Sequence, residues 1–88
     1  MNGEFKVLGR LRNESIEVGE WSCDPCTFEL RFSWDETAYF LKGSVSLENL
    51  DSKEKFQVTE GCYFVFPKGS FWRWTVHSVT KKIFTAIE

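Results

Sequence analysis

The sequence is poor in most residues that would mark a specialised class. It has one Met, one His, two Pro and three Cys in 88 residues, few Ala, and no long apolar run. The longest apolar stretches, Ala38 to Leu41 and Cys62 to Pro67, fall far short of the roughly 20 residues that a bilayer-spanning helix needs. A membrane is therefore not expected as a partner. The opening segment, Met1 to Lys6, has no apolar core of a leader peptide, and three cysteines are too few for a disulfide scaffold. A cytoplasmic protein with reduced thiols is the expectation. Neither sign of charge is in excess, since 11 Lys+Arg stand against 13 Asp+Glu for a formal net charge of −2. Without a basic surplus, nucleic acid is not expected as a partner. The scarcity of Met and Ala, with no Leu-rich stretch, argues against a helical bundle.

Aromatic residues are what the chain has in plenty: 9 Phe, 4 Trp and 2 Tyr. Such side chains bury large areas and let a short chain close a core without staples. The length admits one domain, residues 1–88. Its patterning has period two almost throughout. Phe28, Leu30 and Phe32 alternate with Glu29, Arg31 and Ser33, and Trp72, Trp74 and Val76 alternate with Arg73, Thr75 and His77. Val45 and Leu47 alternate with Ser44, Ser46 and Glu48, then a polar Asn49 to Lys55 loop leads to a return strand at Phe56 and Val58. Lys42-Gly43, Glu60-Gly61 and Pro67-Lys68-Gly69 read as turns. Lys82 to Ile87 reads as the last strand, while Phe5 to Leu8 and Ser15 to Val18 are weaker strands around a polar turn at Arg10 to Glu14. The pattern predicts an all-β domain of roughly seven to nine short strands, a sandwich or barrel.

Two spaced patterns add to this. One is Glu36-Thr-Ala-Tyr-Phe-Leu-Lys-Gly43, and the other is Gly61-Cys-Tyr-Phe-Val-Phe-Pro-Lys-Gly69 followed by Trp74 and Val76. Together, and with Trp21 upstream and Lys82-Ile83-Phe84 at the end, they resemble the two motifs of the cupin superfamily. The branch they resemble is the short single-domain cupins of largely unknown function, akin to the cupin of ethanolamine utilisation and more distantly to ureidoglycine aminohydrolases. The resemblance is strongest over residues 20–84 and implies a single-domain jelly-roll β-barrel with one open end. By analogy it also implies a homodimer paired through sheet edges.

Metal-dependent cupins hold a divalent ion with an H-x-H pair, a Glu and a later His. The resemblance places that Glu on Glu36, the paired His on Leu30 and Phe32 (or on Glu29 and Arg31 in the neighbouring register), and the later His on Trp72. Leu, Phe and Trp cannot ligate a metal. The sole His77 falls on the strand face opposite Trp72, so no metal and no cofactor are expected.

Glu36 is then the candidate catalytic residue, an acid/base for metal-independent isomerase-like or hydrolase-like chemistry in a desolvated interior. The competing reading pairs it with Arg31, Arg73 or a Lys at the barrel mouth, where it only shapes a loop. Phe32, Phe40, Phe64, Phe66, Trp72 and Trp74 are the candidate walls of a pocket for a small polar metabolite. Trp72 stands at the place of the lost ligand and is expected beside Glu36, with an Arg helping to place the substrate, while Trp74 is expected to be plain core. In the alternative these aromatics simply fill the barrel, and the protein is a structural or regulatory module acting through dimerisation. Lys82 either meets an anionic substrate at the mouth or, as the favoured reading, keeps an edge strand soluble beside Lys81. Cys23-Asp24-Pro25-Cys26 reads as two thiols in a turn, since no helix follows to activate either one.

Overall fold

The alternating segments become nine strands in a computed structural model that describes residues 3–88. Met1 and Asn2, part of the segment read for a leader, lie outside the described residues. The strands are β1 (Glu4–Leu11), β2 (Ile16–Cys23), β3 (Cys26–Arg31), β4 (Asp35–Lys42), β5 (Ser44–Asn49), β6 (Lys55–Thr59), β7 (Tyr63–Phe66), β8 (Phe71–Val76) and β9 (Thr80–Ile87). No helix among the described residues is long and apolar enough to cross a membrane.

All ladders are antiparallel and fall into two sheets, one ordered β1-β2-β9-β4-β7 and the other β3-β8-β5-β6. This is the all-β domain that the alternation predicts, with the jelly-roll fold that the resemblance implies. The two sheets share no ladder among the described residues, so the barrel is open rather than hydrogen-bonded all round. The first hairpin is longer than the pattern suggested. β2 runs on to Cys23 because Gly19, Trp21 and Cys23 face inward, and Trp21 and Cys23 join the core.

Alternation sets which side chains the sheets enclose. Glu36, Ala38 and Phe40 of β4, Val45 and Leu47 of β5, Trp72, Trp74 and Val76 of β8, and Phe66 of β7 are all buried between the sheets. The aromatic rings interlock there. Phe66 stacks on Phe32 at 4.7 Å between centroids and on Trp74 at 5.2 Å, while Trp21 meets Trp74 edge-on at 5.5 Å. These separations lie in the range where aromatic pairs add about 0.5–1.5 kcal/mol beyond the area they bury.

The turn between β4 and β5 depends on a residue without a side chain. Gly43 has φ +107°, and a Cβ added to it would run into the fully buried Thr80. A left-handed backbone costs a non-Gly residue about 1–3 kcal/mol, and the collision adds to that. Gly43→Ala is therefore expected to lower the unfolding free energy by at least that amount, read as a lower urea midpoint with an unchanged dependence on denaturant. An unaltered midpoint would show that the turn relaxes freely.

Candidate functional site

The site starts from two backbone clamps. The Pro67-Lys68-Gly69 turn donates from Gly69 N to the Phe32 carbonyl at 2.7 Å and from Lys68 N to Asp35 Oδ1 at 2.8 Å. Phe32 N in turn donates to the Ser70 carbonyl at 2.9 Å. The segment entering β4 is thereby fixed, and with it Trp34 and Glu36.

Glu36 points inward and is only 4% exposed. Its Oε1 accepts from the Trp34 indole N–H at 3.0 Å, and its Oε2 accepts from Lys82 Nζ at 2.5 Å. Lys82 is itself 5% exposed and lies near the faces of four rings, at 4.8 Å from the Trp74 centroid, 5.1 Å from Trp21, 5.5 Å from Phe66 and 5.7 Å from Phe84. An ammonium over aromatic faces gains about 0.5–2 kcal/mol per good contact. Burial pushes the Lys82 pKa below its ordinary 10.5, and the charge and hydrogen bond of Glu36 work against that.

This ion pair lies at a cavity of about 210 Å³. The volume exceeds the roughly 150 Å³ of an apolar cavity that accepts benzene. Phe5, Trp21, Phe28, Phe32, Trp34, Trp74 and Phe84 are its aromatic lining, and Glu14, Glu17 and Glu88 stand at its rim, exposed or half-buried.

The expected site residues divide along the barrel. Glu36, Phe32 and Trp74 line the cavity, whereas Phe40, Phe64, Phe66 and Trp72 do not. The expectation that Trp72 shares a cavity with Glu36 is corrected. Trp72 is buried farther along, against Phe56, Phe64 and Phe66, with its indole N–H donated to Ser70 Oγ at 2.8 Å. Trp74, read as plain core, is the tryptophan of β8 at the cavity. The two share a face but differ in depth, which strand parity cannot report.

Lys82 is the larger correction. The favoured reading made it a soluble flank on an edge strand, but β9 lies in the middle of its sheet between β2 and β4. Inward alternation of Thr80, Lys82 and Phe84 then buries it. Lys81 faces outward and pairs with Glu20 at 3.4 Å. No Arg lines the cavity among the described residues: Arg73 pairs with Glu29 at 2.8 Å and Glu48 at 3.2 Å, Arg31 lies over Phe71 near Asp51, and Arg10 reaches only the rim, 3.5 Å from Glu17. Trp34 was missed, although an aromatic in a polar loop two residues before the candidate carboxylate was a usable signal.

Residues 11–84 match the family model of the EutQ-like cupin domain. The chain belongs to that family. This EutQ-like domain also resembles solved structures in fold. The EutQ protein of Clostridium difficile is 23% identical, with a TM-score of 0.82 over 97% of this chain and 67% of that one. A DUF861 family protein of Thermotoga maritima is 29% identical, with a TM-score of 0.71 over 74% of this chain and 73% of that one. A protein of unknown function from Rhizobium leguminosarum is 17% identical, with a TM-score of 0.85 over 99% of this chain and 82% of that one. None of the curated proteins matches the chain.

The metal of metal-dependent cupins does not fit this domain's residues. At the ligand positions that the resemblance gives, Leu30 and Phe32 line the cavity and Trp72 is packed core, and none offers a donor. His77 is exposed and shares a hydrogen bond of 2.6 Å with Ser46 Oγ on the outer face. Among the described residues no group of three or more His, Cys, Asp or Glu could hold a metal ion. Elemental analysis of the purified protein is expected to find no stoichiometric Mn, Fe, Ni or Zn. One metal per chain that disappears in Glu36→Ala would overturn this.

The C-x-x-C joins β2 to β3 and stands apart from the cavity. Cys23 and Cys26 lie 3.2 Å apart at Sγ as free thiols. Burial, then the hydrogen bond to Cys26, pushes the Cys23 thiol up to about 12. A thiol held that high is a poor nucleophile.

Proposed function

We propose that this EutQ-like cupin domain binds a small metabolite in the cavity at Glu36 and Lys82, with Glu36 as the acid/base of any metal-independent reaction there. The observation that carries the reading is a desolvated ion pair beside an aromatic-lined space large enough for a ligand. A buried ion pair contributes little to stability compared with apolar residues of the same shape, so its presence favours a task at the cavity. Trp74 lends support: its indole N–H is buried without a hydrogen-bond partner among the described residues, and such donors are rare.

The experiment is a thermal-shift screen over sugars, ureides, small alcohols and small organic acids. A true ligand at 100 times its Kd adds about 2.7 kcal/mol of stability. The gain should disappear in Glu36→Gln and survive in Trp72→Phe, which lies away from the cavity. Hits that ignore Glu36→Gln would refute the site. The proposal includes a cytoplasmic setting, where the three thiols stay reduced.

A second reading, a structural module acting as a homodimer, is favoured by the other end of the barrel, where Phe64, Phe66 and Trp72 pack the interior and the exposed Phe56 lies against Phe64 and Trp72. On the outside of the five-stranded sheet, Tyr63, Tyr39 and Ile83 form one exposed row across β7, β4 and β9. Light scattering that finds a dimer broken by Tyr63→Glu would support it.

A further inference from the structure

We propose that Lys82 is a carbonyl-reactive amine and that the cavity takes small uncharged aldehydes, held as an imine on Lys82 Nζ. The inference rests on the reading of this cavity as a ligand site and names the ligand's class. Its basis is the charge around the cavity. A lysine at an open pocket ordinarily recruits an anion, but the Lys82 ammonium already has Glu36 Oε2 at 2.5 Å and four aromatic faces around it. The inner site is therefore neutral overall. An incoming anion would have to displace Glu36 and pass the Glu14, Glu17 and Glu88 carboxylates at the rim, of which, among the described residues, only Glu17 has a cation at hand, Arg10 at 3.5 Å. The aromatic walls offer the Trp74 indole N–H, too little to satisfy the several hydroxyls of a sugar. An uncharged, compact ligand that reacts with an amine fits all of these features.

The chemistry balances within the pair. Proton transfer from Nζ to Oε2 turns ammonium and carboxylate into amine and carboxylic acid, with no change in the site's net charge. Burial favours that neutral form, and it already holds the Lys82 pKa below 10.5. The amine lone pair then attacks the carbonyl carbon, a C–N bond forms, and the C=O π pair moves to oxygen, which takes the Glu36 proton. Nitrogen gives its next proton to Glu36. The hydroxyl takes that proton and leaves as water while the nitrogen lone pair closes C=N. The sum is aldehyde plus Lys82 ammonium giving protonated imine plus water, with Glu36 restored beside the new cation. Trp34, donating to Glu36 Oε1 at 3.0 Å, holds the carboxylate in place through these transfers.

The test uses benzaldehyde with sodium cyanoborohydride, which delivers hydride to the imine carbon and leaves a stable secondary amine, read by peptide mass spectrometry. Lys82 should be labelled about tenfold or more faster than exposed lysines such as Lys42, Lys53 and Lys68, as expected of a desolvated amine next to a base. Glu36→Gln should slow labelling at Lys82 and leave the exposed lysines unchanged. The anionic 4-carboxybenzaldehyde should label Lys82 more slowly than benzaldehyde does. Labelling of Lys82 no faster than that of exposed lysines would overturn the proposal, and so would equal rates for the two aldehydes. Because the wild-type distribution of label decides the matter, the result does not depend on whether any variant folds. Benzyl alcohol, which cannot form an imine, keeps the two readings apart. A thermal shift with benzyl alcohol but no preference for Lys82 leaves the cavity a ligand site and removes the imine. No shift and no preference remove both.

Discussion

Lys82→Met is expected to destabilise the protein by about 3–5 kcal/mol, because it leaves the Glu36 carboxylate buried without its cation. The methionine keeps most of the side chain's volume among Trp21, Phe66, Trp74 and Phe84, so the loss reports charge rather than a hole. The double variant Lys82→Met with Glu36→Leu should recover much of that loss, since removing both charges also removes the desolvation that opposed them. Urea unfolding of the four proteins in the cycle measures the coupling. A double variant whose loss equals the sum of the two single losses would show that the pair is not coupled.

The same pair gives a pH signature. The folded Lys82 pKa lies below the unfolded 10.5, so the unfolded chain holds this proton more tightly. Stability from this group is therefore complete above 10.5, and it declines as pH falls through the alkaline range towards the folded value. The difference in stability between wild type and Lys82→Met should grow with pH across that range. A difference that is flat there would mean that Lys82 is not desolvated.

Trp74→Ala is the other large effect, at about 3–5 kcal/mol for a fully buried indole. Trp74 is 1% exposed and contacts Trp21, Phe28, Phe40 and Phe66, so truncation opens a hole at the middle of the ring cluster. The hole joins the existing cavity, and the variant should bind larger aromatic probes than wild type does. Trp74→Phe should cost far less than its lost volume suggests. It removes the indole N–H that has no partner among the described residues, and such a buried donor is worth about 1–3 kcal/mol of relief. Trp72→Ala should cost as much as Trp74→Ala and leave the cavity unchanged, because Trp72 packs against Phe56, Phe64 and Phe66 instead. Equal changes in probe binding for the two alanine variants would contradict this division of the barrel.

Much of the fold was legible because period-two alternation is a local property: each strand announces its buried face in its own residues. Val45, Leu47, Trp72, Trp74 and Val76 needed nothing else. Glu36 was found through the resemblance, whose motif places a carboxylate there, and its parity with Ala38 and Phe40 agrees with its burial beside them. The rest of the site depends on relations between strands that no local window contains. Lys82 looked like a soluble flank because it is paired with Lys81 beside what read as an edge strand, and only the position of β9 between β2 and β4 makes its face an inner one. Trp72 and Trp74 are equivalent by parity, and their separation along the barrel is set by the register of β8 with β3 and β5, where Trp72 lies opposite Leu30 and Asn49, and Trp74 opposite Phe28 and Leu47.

The central place of β9 also has a consequence for biosynthesis. It follows the other eight described strands in chain order, yet it fills the gap between β2 and β4. Until β9 leaves the ribosome, both flanking strands present unpaired backbone to a vacant slot, an invitation to any extended chain nearby. Glu36 meanwhile waits in the nascent sheet without its cation, since Lys82 arrives on the missing strand. The sheet and its charge pair must therefore be completed in one late event, and a nascent chain halted before Thr80 is a natural client for a chaperone that shields strand edges.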